Sequence, residues 1–77
     1  MGNRYLSVVL SELRKGIDDC KKLQGMLIEF REDLPQVDNQ LPKGVQKLVN
    51  EAIISAIATS CKVKTLEKEV EEALNNG

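Results

Sequence analysis

The sequence predicts an all-α protein, an antiparallel four-helix bundle, on three observations. Apolar residues recur at steps of three and four along most of the chain, the spacing that gathers one face of an α-helix. The only aromatic residues are Tyr5 and Phe30, so a core must be aliphatic, which suits helix-on-helix packing better than a β-sandwich. The 77 residues are 42% hydrophobic and 30% charged. That is too hydrophobic for disorder and sufficient for one domain, residues 1–77, with a thin core.

The first helix is read from about residue 3 to 16 or 17, on Leu6, Val9, Leu10, Leu13 and Ile17. Gly16 weakens it, and Asp18 and Asp19 are caps for a new start. Leu23, Met26, Leu27, Phe30 and Leu34 carry the second helix. Pro35 is expected to end it by pushing Leu34 out of α geometry, and residues 35–40 read as a loop. The third helix opens at Pro42, a good first-turn residue, and runs to about Ser60. Its residues Val45, Leu48, Val49, Ala52, Ile53, Ala56 and Ile57 fill a face about 180° wide, where a surface helix needs only about 100°. It is therefore expected to be a central helix with neighbours on two sides. Residues 59–65 are β-branched and polar, a weak helix former. Thr65 then caps a fourth helix carrying Leu66, Val70 and Leu74, which Asn75, Asn76 and Gly77 end.

An alternative stays open. Leu6, Leu10, Leu13, Ile17, Cys20, Leu27, Phe30 and Leu34 nearly keep a heptad, so the first two helices fit a single rod about 45 Å long. Two such rods make a long helical hairpin that dimerises into a four-helix bundle.

Charge and composition exclude several functions. Eleven basic and 12 acidic residues leave a net charge of −1, without a global field or aromatic platforms for nucleic acid. Histidine is absent, and Cys20 and Cys61 lie far apart without a CxxC spacing, so a zinc site lacks ligands. Both cysteines read as buried small hydrophobes. The chain carries no nucleophile motif and no glycine-rich phosphate loop, so neither an enzyme nor a cofactor is expected. Arg14 and Arg31, 17 residues apart, resemble the carboxylate-clamping arginines on the opening helix of the all-helical chorismate mutases. Pro35 and Gly25 depart from that pattern, and the arginines are expected to be solvated or ion-paired. No stretch approaches the roughly 20 apolar residues of a bilayer span, and no secretory signal is read at the start. The expected location is cytoplasmic.

Two surface features point to binding. Ile54, Ala58 and Cys61 project opposite the main stripe of the third helix, and exposed apolar patches mark contact sites. Lys43, Lys47, Lys62 and Lys64 make the middle of the chain basic, next to an acidic end that includes Glu67 and Glu71.

These elements resemble the immunity proteins of pediocin-like (class IIa) bacteriocins, the enterocin A immunity family. The likeness runs through Val9-Leu10-Ser11-Glu12-Leu13, residues 23–34, Leu41-Pro42, Leu48-Val49-Asn50 and Ala52-Ile53 to Lys62-Val63-Lys64-Thr65-Leu66-Glu67. The resemblance implies a four-helix bundle in the cytoplasm of a Gram-positive producer, protecting it from its own pore-forming peptide. The implied partner is the mannose phosphotransferase membrane complex once the bacteriocin has engaged it. It also implies that specificity lies in the turn Lys62, Val63, Lys64 and Thr65 and on the outer face of the last helix. On charge alone, Lys43, Lys47, Lys62 and Lys64 are expected to sit near anionic lipid. The family's longer C-terminal tail has no counterpart after Gly77.

Overall fold

Two long helices replace the four expected and form the long helical hairpin that the heptad spacing offered as the alternative. The computed structural model describes residues 2–76 and, within them, every side chain but those of residues 2, 3 and 38. Helix α1 is Gly2–Val37, a 3-10 turn covers Asp38–Gln40, and α2 is Val45–Asn76. No strand occurs among the described residues. The 36 residues of α1 at about 1.5 Å each give about 54 Å, close to the 56 Å long axis of the molecule. The other two extents are 16 and 15 Å. The protein is a helical hairpin one layer thick.

Each expected break is overridden by the seam between the helices. On α1, Leu6, Leu10, Leu13, Ile17, Cys20, Gln24, Leu27 and Leu34 are all buried or half-buried. They alternate steps of four and three, with exposed Arg31 completing the series. On α2 the matching series is Val49, Ile53, Ala56, Ser60, Val63, Glu67, Val70 and Leu74, every member buried or half-buried. Such a strict repeat is the signature of a coiled-coil seam. It passes straight through Gly16, Asp18 and Asp19, so no helix starts there. It also passes through residues 59–65, where weak propensity loses to burial of Ser60 and Val63. Thr65 is no cap: its Oγ1 donates to the Cys61 carbonyl one turn back, at 3.1 Å.

Pro35 does not end α1, which continues to Val37. Leu34, the residue Pro35 disfavours in a helix, is only 5% exposed and anchors a cluster with Val49 and Ile53. Leu27, Leu41 and Val45 pack around it. A proline this close to a helix end removes one backbone hydrogen bond, while burying a leucine stabilises by about 2 kcal/mol. Nor does α2 open at Pro42. Gly44 has φ +91°, a conformation that favours glycine, and its carbonyl accepts the first helical bond from Leu48 N–H at 3.1 Å.

The wide apolar face of the expected third helix is only half used. Val49, Ile53 and Ala56 are buried and Val45 half-buried, but Leu48, Ala52 and Ile57 are exposed. One neighbour, α1, covers α2 where two were expected. Cys61 is exposed and Cys20 half-buried, both as free thiols, so the expected burial of both cysteines is corrected.

Candidate interaction surfaces

Four features arise from this hairpin. The first is a polar layer in mid-seam. Cys20 Sγ donates to the Ala56 carbonyl at 3.2 Å, and Gln24 Nε2 donates to the same oxygen at 3.5 Å and to Cys20 Sγ at 3.6 Å. The small residues Ala56 and Ser60 stand opposite. This layer fixes the register of the two helices, as single polar seam positions do in coiled coils.

The second is an ionic groove near the open end. Arg14 Nε donates to Glu67 Oε2 at 3.0 Å and its Nη2 to Glu71 Oε2 at 2.6 Å. Lys21, Lys64, Lys68 and Asp18 complete the walls. Arg14 is thus spent on the hairpin itself. Arg31 lies far along α1, lining a cleft of about 320 Å³ with Leu34, Pro35, Leu41 and Pro42 at the loop end. The two arginines do not converge on one pocket, and no group of three or more candidate metal ligands lies together among the described residues.

The third is apolar. Among the described residues, ten large hydrophobic side chains are exposed, against six hydrophobic residues that are buried. The right-handed twist of both helices and their antiparallel course decide which exposed residues share a side. Beside the seam, α1 presents Val9, Gly16, Leu23, Phe30 and Val37, one every seventh residue. On the same side α2 presents Val45, Ala52, Thr59, Leu66 and Ala73. None of the ten carries a charge. On the opposite side of the seam the matching positions are Ser7, Arg14, Lys21, Ile28 and Pro35, with Asn50, Ile57, Lys64 and Glu71. That side holds the ionic groove.

A strip on the outer face of α2 holds Ile54, 67% exposed, with Ala58 and Cys61, and adjoins Ile57 at the edge of that side. Lys47 precedes it and Lys64 and Lys68 follow at helical spacing.

The sequence-derived contact residues fare unevenly. Lys43, Lys47, Ile54, Lys62, Lys64, Thr65 and Glu71 are exposed, while Val63 and Glu67 are half-buried in the seam. Lys62, Val63, Lys64 and Thr65 form no turn; they lie in mid-helix. Glu67 and Glu71 are engaged by Arg14. Leu23, Met26, Phe30 and Leu66, whose spacing marks the apolar faces of the expected helices, are exposed. The seven-residue repeat holds the signal that separates them from the seam.

Comparison with protein-family models, with curated proteins and with solved structures finds no match. No helix among the described residues is long and apolar enough to cross a membrane.

Proposed function

We propose that this protein acts by binding and not by catalysis, as a small helical adaptor. The observation that carries the reading is the exposure of Ile54 at 67% and Ile57 at 47% on one strip of α2, because exposed apolar patches mark contact sites. The outer strip of α2 is the partner-facing surface. Ile54, Ile57 and Cys61 offer apolar contact, and Lys47, Lys64 and Lys68 at its ends suit a helix with acidic flanks. The test is a photo-reactive residue placed at Ile54 in the cells that make the protein. A discrete cross-linked species is expected there, and none from Glu29, which is exposed on the back of α1. Equal labelling at both positions, or none, would overturn the reading.

A second, narrower reading is bacteriocin immunity, with the bacteriocin-engaged mannose phosphotransferase complex as partner. The exposure of Lys62, Lys64 and Thr65 favours it, since these are the residues the family resemblance singles out. The two lysines would also attract anionic lipid at the inner leaflet by about 1 kcal/mol each. Expression in a sensitive Gram-positive strain should then confer resistance to one or a few class IIa bacteriocins. Lys62→Glu with Lys64→Glu should abolish that resistance. Full protection by the double variant would remove the lysines from the mechanism, and sensitivity to the whole panel would count against immunity.

A further inference from the structure

We infer that the charge-free side of the hairpin is the docking face for a second copy of this chain, giving a four-helix bundle from two hairpins. The inference rests on the binding reading and names one partner.

The first argument is the distribution of charge. In an isolated coiled coil the positions flanking the seam face water and are commonly Glu or Lys. One flank here follows that tendency at four of its nine positions, Arg14, Lys21, Lys64 and Glu71. The other flank carries no charge at any of its ten positions from Val9 to Val37 and Val45 to Ala73. Leu23, Phe30 and Leu66 on that flank are 44%, 36% and 50% exposed. Adding this flank to each seam widens both apolar faces from the narrow stripe of a two-helix coil to the broader one of a bundle helix.

The second argument is area. The chain exposes 6026 Å², whereas a compact monomer of 8.6 kDa exposes about 4,700 Å². Removing that excess of about 1,300 Å² from each of two copies would bury more than the roughly 1,600 Å² of a standard specific interface. A second copy supplies the identical uncharged surface, which is what a two-fold interface requires.

The third argument is shape. In the register set by Gln24 on Ala56, the flank places large residues level with small ones: Leu66 with Gly16, Phe30 with Ala52, Leu23 with Thr59. Each level leaves a recess beside a projecting side chain, the relief that interdigitating layers need.

The test is the solution mass of the intact chain by sedimentation equilibrium, from about 1 to about 100 μM, with thermal melts across the same range. Twice the 8.6 kDa chain mass and a melting temperature that rises with concentration are expected. Leu23→Glu with Phe30→Glu should halve the mass, while Ile54→Glu with Ile57→Glu should leave it unchanged. Should the first variant lose its helicity, Ala52→Lys with Thr59→Lys tests the same face from α2 with two exposed small residues. Wild-type protein that stays monomeric throughout overturns the inference, as does dissociation by the Ile54 and Ile57 pair alone. A monomer that still cross-links through Ile54 removes self-association and leaves the binding reading intact.

Discussion

Ile53 and Arg14 mark the two ends of the energetic range in this molecule. Ile53 is 5% exposed within the Leu34 and Val49 cluster, so Ile53→Ala removes buried methylenes and leaves a cavity. The expected cost is about 2–4 kcal/mol, read as a lower urea midpoint with unchanged slope. Arg14 makes two short ion pairs, but its side chain is 53% exposed and those of Glu67 and Glu71 are 27% and 49% exposed. Solvent screens such pairs, so Arg14→Ala should cost less than about 1 kcal/mol, and less again at high salt. A loss of several kcal/mol for Arg14→Ala would place the ionic groove, and not the leucine cluster, at the centre of stability. Between these ends lies the Ala56 carbonyl, with Cys20 and Gln24 both donating to it. Its value is positional, since it sets which residues face which along the whole seam.

At the scale of the element, the glycines separate what a helix tolerates from what a turn demands. A methyl group built at Gly25 meets nothing within 4 Å, so Gly25→Ala should raise stability by about 0.5–1 kcal/mol through the unfolded chain. At Gly44 space is equally open, but φ is +91°, and Gly44→Ala should lower stability by about 1 kcal/mol. Equilibrium unfolding of the two variants checks both signs. These local features also explain what the sequence made legible. The helical class, most seam residues of α1 and the exposed basic positions were readable from spacing alone, though the spacing also drew Phe30 into the seam and passed over Gln24. The continuity of the helices was legible only as the alternative of a long hairpin, because Pro35, Asp18 with Asp19, and Thr59 to Thr65 are local signals to stop. Long-range burial of Leu34, Ile17 and Ser60 outweighs those signals, and no local rule carries it. Of the contact residues, Ile54 and the lysines were legible as outward-facing. Glu67 and Glu71 were not legible as ion-paired, because their partner Arg14 lies more than 50 residues away in sequence.

For the whole molecule, the unevenness of packing along the long axis decides behaviour. The leucine, valine and isoleucine cluster sits at the loop end, while the open end holds the ionic groove and half-buried Leu6, Val70 and Leu74. Native-state hydrogen exchange should therefore be slowest for amides around Leu34, Val49 and Ile53, and faster toward residues 4–9 and 70–76. Uniform protection along both helices would contradict this. A hairpin built from neighbouring elements joined by a tight turn also has mostly local contacts at its closed end, so folding should be fast and should start there.

The hairpin topology has a mechanical consequence. The outer ends of α1 and α2 lie side by side, so a force pulling them apart loads one seam layer at a time. Such a device peels open like a zipper at low tension, starting at the Leu6, Val70 and Leu74 end and reaching the ion pairs of Arg14 afterwards. The same helices pulled lengthwise past each other would load every layer at once and resist far more strongly.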